Sequence, residues 1–288
     1  MNNRIYILMS LAMISWGVAW TNAKIVNDYF SYSNLVFMRY FSSFIFFIPI
    51  LLIRNKKFQM PSSKTLLNIL SISILYYLYN IFFFMGTDVG TAGKGGVFVT
   101  TTNPIITLII ISLINKSINR TQILGIALGA LGGFIILDFF TLGFSSLIIS
   151  ENLYFLVCSV TWGTVTVVMT YGQKDYDSLS YIFLCYLITS FIALFFIDIS
   201  QITTASNYSW HFLINFFFVS IGAMCFGTSV FMYAGPRLGA VQTSAFIFTV
   251  PFIAISTASV ILGEPITLNL ILGGLLAIIS VYIVNFKS

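Results

Sequence analysis

Gly235 to Phe286 reads GPRLGAVQTSAFIFTVPFIAISTASVILGEPITLNLILGGLLAIISVYIVNF. Two apolar runs of about twenty residues, each long enough to cross a bilayer at about 1.5 Å of rise per residue, flank the short polar break Gly263-Glu264-Pro265. A similar passage begins at Gly86: GTDVG, an apolar run holding Pro104, a polar break from Asn115 to Arg120, then the Gly-rich run Thr121 to Leu137. With gaps of one or two residues, Gly86, Gly90, Pro104 and Gly125 fall opposite Gly235, Gly239, Pro251 and Gly273. The chain reads as a duplication.

Outward from this pair of passages, composition sets the class. Of 288 residues 58% are apolar and 7% charged, and the mean hydropathy is +0.99. Thirty Phe against 13 Lys and Arg plus 8 Asp and Glu leave too little polar surface to cover a soluble core. The expected class is an all-α polytopic membrane protein. The net charge of +5 does not point to nucleic acid, because the basic residues stand singly or in one loop cluster rather than along a stripe. Cys158, Cys185 and Cys225 lie inside apolar runs without a CxxC pair, so they read as small buried residues rather than metal ligands. Ile5 to Ala23 follows Arg4 as the core of a signal peptide would, but it is longer than such a core and holds two Trp, which favours a retained first helix.

Charge-poor segments bounded by polar or Gly/Pro breaks give ten expected spans: Ile5–Ala23, Ser33–Ile53, Thr65–Thr87, Gly95–Ile114, Thr121–Phe139, Asn152–Tyr171, Leu179–Ile197, Phe212–Tyr233, Ala240–Leu262 and Thr267–Phe286. With the amino terminus inside, Arg4, Arg54, Lys56, Lys57, Lys64, Lys116, Arg120, Lys174, Arg237 and Lys287 fall on one side, and Lys24, Arg39 and Lys94 are the exceptions. By the positive-inside rule that side is cytoplasmic, with both termini there, in the inner (plasma) membrane of the cell. Five spans per repeat, 1–145 and 146–288, means that the repeats enter the membrane in opposite directions. The charges agree: the cluster Arg54 to Lys64 has no basic counterpart in Asp198 to Trp210, and Lys116 and Arg120 are answered by Glu264.

Enzyme signatures fail on spacing. Gly90-Thr-Ala-Gly-Lys94-Gly-Gly lacks the Gly and the Ser or Thr of a phosphate loop, and its Gly93, Gly95 and Gly96 read as a flexible lead-in to the fourth span. A single His, His211, beside Trp210 at the start of the eighth span, forms no triad or metal cluster with another His. No metal or cofactor is expected.

The candidate site residues lie elsewhere. Trp16, Trp20 and Lys24 repeat every four residues and share one helical face, either for packing or as an aromatic wall with Lys24 near the outer mouth. Ser15-Trp16-Gly17 is matched by Thr161-Trp162-Gly163, and paired elements of this kind face each other across the axis of an inverted repeat, where substrates bind. Arg39 either snorkels outward or faces a wet cavity. Tyr76, Tyr79, Asn80 and Phe83 share a face, and Asn80 must point inward because lipid offers it no partner. Thr100, Asn103 and Pro104 lie in the fourth span. The ladder Gly125, Gly129, Gly133, with Gly273 and Gly274, suits close helix approach, in the scaffold or in a homodimer.

Together these features resemble the EamA branch of the drug/metabolite transporter superfamily: Ser15-Trp16-Gly17 with Lys24 closing the span, Arg39 opening the second span, the Gly-Pro spacing of spans four and nine, and Gly263-Glu264-Pro265 followed by Gly273-Gly274. Asn115-Lys116-Ser117 departs from the pattern, which has Gly-Glu there. The resemblance implies ten helices in two inverted five-helix repeats, a cavity lined by helices one to four and six to nine, and export of small metabolites such as amino acids. On this reading Trp16, Trp20, Lys24, Arg39, Tyr76, Asn80, Asn103 and Trp162 contact a small-molecule substrate. The rivals are a carrier of nucleotide-like or phosphorylated metabolites, which would want several convergent basic residues, and, from another class, a lipid-modifying enzyme or a non-transporting subunit.

Overall fold

The computed structural model describes residues 3–53, 58–116, 120–173, 176–204, 206 and 208–286. Among them there are helices and no strand. The basic residues Arg54, Lys56, Lys57, Lys174 and Lys287 lie outside the described set. In chain order the main helices are α1 (Asn3–Val26), α2 (Tyr32–Ile53), α3 (Ser63–Val89), α4 (Ala92–Asn115), α5 (Arg120–Ile136), α6 (Ser150–Gly172), α7 (Ser178–Leu194), α8 (Trp210–Leu238), α9 (residues 240–262) and α10 (Leu268–Phe286). Six of them, α1 to α4, α6 and α8, are long and apolar enough to cross a membrane; α5, α7, α9 and α10 contain shorter apolar helices.

Two helices depart from regular geometry. α8 is α-helical over Trp210–Phe217, widens to a π-helix over Phe218–Thr228 and returns to α over Ser229–Leu238. α9 begins as a short helix, Ala240–Ala245, tightens to a 3₁₀ turn at Phe246–Thr249 and resumes at Val250–Leu262, where Pro251 occupies the first turn, a place that needs no proline N–H. Its counterpart Pro104 sits within an unbroken α4.

Contacts along each pair of helices fix their relative directions. Successive α1 positions Trp16 and Trp20 meet Trp162 and then Phe155, so α6 runs against α1. Tyr40 and Phe44 of α2 meet Tyr186 and Phe183 of α7. Gly93 and Gly96 of α4 lie against Ala258 and Ala254 of α9, and Ser280 and Asn269 of α10 bond Gly125 and Asp138 at opposite ends of α5. Each of these pairs joins corresponding helices of the two halves, and each is antiparallel. A two-fold axis perpendicular to the helices relates the halves.

Close packing needs small residues where helix backbones meet. A Cβ on Gly273 would stand 2.6 Å from the carbonyl oxygen of Gly132, and Gly129 lies under Ile105 and Ser280. These glycines of the ladder are thus used within the chain, to join α5 to α10. Gly95 and Gly96 are buried helical positions against Phe155, Trp20 and Ala254, and so do not form a flexible lead-in. Cys158, Cys185 and Cys225 are buried and free.

With these helix directions, Arg4, Lys64, Lys116, Arg120 and Arg237 gather at one end of the bundle, and Lys24 and Lys94 at the other. The end holding Lys24 and Lys94 also carries Asp88, Asp138, Glu151 and Glu264.

Candidate substrate-binding site

The two Trp-Gly elements meet at the centre. The indoles of Trp16 and Trp162 pack edge to face, ring centroids 5.1 Å apart and planes at 86°. The same interval along the chain separates Tyr40 from Tyr186, whose rings lie 6.1 Å apart, so both pairs sit on the axis that relates the halves. The glycine after each Trp does the same work: a Cβ on Gly17 would meet Ile253 and the carbonyl of Val250, and one on Gly163 would meet Ile106 and the carbonyl of Asn103. Each Trp helix can therefore lie against the Pro-containing helix of the other half, α1 on α9 and α6 on α4.

The two indoles differ in their polar contacts. Nε1 of Trp16 donates to the carbonyl of Ala223 in the π-helical part of α8, at 3.0 Å. Nε1 of Trp162 is buried with no partner. Around Trp162 stack Tyr76 and Tyr79, with centroids at 5.7 and 4.7 Å, while Trp20 meets Phe83 at 4.7 Å.

Arg39 is 4% exposed and turned inward, which settles the alternative of snorkelling. Its Nε donates to the carbonyl of Val219 (3.0 Å) and its Nη1 to Oδ1 of Asn80 (2.6 Å), and its guanidinium lies over the ring of Phe83. Asn80 in turn donates to Tyr40 Oη and to the carbonyl of Tyr76. Among the described residues no carboxylate pairs with Arg39. Such a charge retains a large desolvation cost, which neutral carbonyls offset only in part.

Beside these groups lies a cavity of about 30 Å³, lined among others by Trp16, Trp20, Arg39, Asn103 and Trp162. That is room for about two water molecules, so the walls must part before an organic solute can enter. Lys24, Tyr76 and Asn80 do not line it. Lys24 instead bonds the carbonyls of Thr87, Asp88 and Gly90 at the end of α3, satisfying acceptors that a helix terminus leaves open. Tyr76 and Asn80 stand behind the wall and hold Trp162 and Arg39. Ala19, Ala223, Met224, Thr228 and Ile247 complete the lining without having been singled out in the sequence. Nothing polar marks Ala223, Met224 or Ile247, and only their place on helices opposite α1 and α6 brings them there.

The Lys24 end of the bundle is closed by polar contacts. Both carboxylate oxygens of Glu264 accept from backbone amides at the start of α4, from Ala92 and Gly93, each at 2.8 Å. Lys94 pairs with Glu151 at 3.1 Å and with Asp138 at 3.7 Å, and Tyr32 donates to Asp88. At the opposite end Lys116 closes α4 in the left-handed conformation, as Gly263 closes α9. At that end an open groove of about 640 Å³ lies between α3 and α6, lined by Lys64, Asn68, Ser71, Tyr171 and Tyr176 among others.

A two-fold helical bundle with a small aromatic cavity on its axis is the architecture of membrane-embedded carriers built from inverted repeats. The chain belongs to the EamA-like transporter family, whose model matches it twice, over residues 3–138 and 149–286. It is similar to "Uncharacterized transporter YvbV" of Bacillus subtilis (strain 168), with 25% identity over 289 aligned residues covering 99% of this chain and 92% of that protein. A solved structure described as "Crystal structure of protein" shares the fold, with a TM-score of 0.68 at 13% identity, covering 100% of this chain and 98% of the other.

Proposed function

We propose that this chain is an inner-membrane secondary transporter that exports small metabolites, amino acids or related amphipathic compounds, by alternating access. In this reading ten helices cross the membrane as two inverted five-helix repeats, 1–145 and 146–288, with both termini in the cytoplasm, and the bundle rocks about the Trp16–Trp162 contact. The observation that carries it is the small aromatic cavity on the axis between the halves, with Arg39 as the one charged side chain in its lining. The excess of Lys and Arg at the Lys64 end supports a cytoplasmic face there. Trp16, Trp20, Arg39, Asn103 and Trp162 contact the substrate, whereas Tyr76, Asn80 and Lys24 act by holding the walls. The α5–α10 pair is scaffold.

An untargeted comparison of metabolites inside and outside cells, with and without the protein, tests the reading. One or a few small compounds should fall inside and rise outside, and Trp16→Ala and Trp162→Ala should abolish the difference at equal membrane abundance. An unchanged profile, or variants as active as the parent, would remove the function or the site respectively.

A further inference from the structure

We infer that the central cavity is a site for organic carboxylates, selective for anions through Arg39. This rests on the transporter reading of the same cavity and names the chemistry of its ligand. Among the lining side chains the Arg39 guanidinium is the single formal charge. Its partners, the amide oxygen of Asn80 and the carbonyl of Val219, orient it without neutralising it. The symmetry that pairs Trp16 with Trp162 and Tyr40 with Tyr186 places Cys185 opposite Arg39. The second half therefore brings no charge of either sign to match it, and the axis-related site is electrically one-sided.

Two further atoms point to the same ligand. Nε1 of Trp162 and Oδ1 of Asn103 are both buried without a hydrogen-bond partner, on residues each 3% exposed, and both residues line the cavity. Trp16, the counterpart of Trp162, already donates to Ala223, so the free N–H is confined to the second half. An unmet donor and an unmet acceptor in a low-dielectric site are costly alone, and a ligand that supplies both partners recovers that cost. A carboxylate oxygen satisfies Arg39 and Trp162 N–H, one hydroxyl or N–H on the ligand satisfies Asn103 Oδ1, and a planar ring fits among Trp16, Trp20 and Phe83. An organic cation of the same shape meets Arg39 as a like charge.

The test uses the purified full chain in lipid nanodiscs and three probes with the same ring: 4-hydroxybenzoate, 4-hydroxybenzamide and 4-hydroxybenzylamine at pH 7. Dissociation constants are read by calorimetry. The anion should bind at least about tenfold more tightly than the neutral amide, and the ammonium compound not at all. Arg39→Gln should bring the anion to the level of the amide, while Trp162→Phe should weaken both by a similar factor. Should Arg39→Gln fail to fold, the ranking of the three probes on the unaltered chain and the Trp162→Phe result still decide. Equal binding of the three, preference for the ammonium compound, or binding of none overturns the assignment. The metabolite comparison stands apart from this outcome: a protein that moves metabolites but ranks the probes equally keeps its transporter reading and loses the carboxylate site.

Discussion

Trp16 and Trp162 meet edge to face on the axis between the halves, but only the Trp16 indole N–H has a partner, the carbonyl of Ala223. Two chemically equal residues in symmetric positions thus carry different energetic roles. Trp16 ties α1 to the π-helical part of α8, where Tyr186 also donates to Met224 and Arg39 to Val219. Three helices thus supply donors to carbonyls of this one stretch.

Trp16→Phe should destabilise the protein more than Trp162→Phe. The first change removes a hydrogen bond worth about 1 kcal/mol in addition to ring area, and the second removes a donor that has no partner. Thermal unfolding of the two variants in the same detergent should rank them in that order. The opposite ranking would mean that the Ala223 contact does not persist in solution.

Gly17→Val and Gly163→Val should each cost about 1–3 kcal/mol, because the added carbons meet branched side chains of the facing helix, Ile253 and Ile106. Each should be partly rescued by trimming the facing residue, Gly17→Val by Ile253→Ala and Gly163→Val by Ile106→Ala. Rescue by the wrong partner, or none, would argue against the α1–α9 and α6–α4 contacts.

Glu264→Ala should free the Ala92 and Gly93 amides at the start of α4 and cost about 1 kcal/mol. Glu264→Gln should keep one of the two bonds, since an amide side chain has a single acceptor oxygen. Hydrogen exchange at Ala92 and Gly93 should therefore speed up in the order parent, Gln, Ala. Exchange that is the same in all three would show that the carboxylate does not hold this end shut.

Asp198 lies outside the spans, at the start of the short helix Ile199–Thr203, and the Ser200 hydroxyl and nearby backbone amides hold its carboxylate below the usual range. A lowered folded-state pKa means that its contribution is full above the unfolded value and is lost as pH falls through the folded one. Exchange at the Ser200 amide, corrected for the intrinsic pH dependence, should rise on acidification below the ordinary carboxylate range and show no such rise in Asp198→Asn. A matching acid-dependent rise in the Asn variant would assign the effect elsewhere.

Much of this was open to reading along the chain. Thirty Phe and few charges dictate helices in lipid, since each backbone polar group there must be satisfied within its own segment. The pairing of Trp16-Gly17 with Trp162-Gly163 pointed to two residues that meet between the halves, because two-fold symmetry forces equivalent residues near the axis to meet. Lys24 shows where such reading stops: its spacing from Trp20 puts it on the same helical face, yet the open carbonyls of α3 capture its ammonium before it reaches the cavity. Asn80 shows the same in another way, since a buried amide must find partners but the sequence does not say whether these are protein or ligand.

By itself, then, the sequence determined the all-helical class, the duplication and the residue types near the axis, because these follow from local hydropathy and from repetition. Tertiary structure alone decided that Arg39 turns inward onto neutral partners, that Trp162 N–H and Asn103 Oδ1 lack partners among the described residues, and that Glu264 accepts from the amides at the start of α4. Those facts depend on distances between residues far apart in the chain. The balance of hydrogen bonds and charge in a low-dielectric interior is set by which groups meet there, and no single stretch of sequence contains both members of a pair.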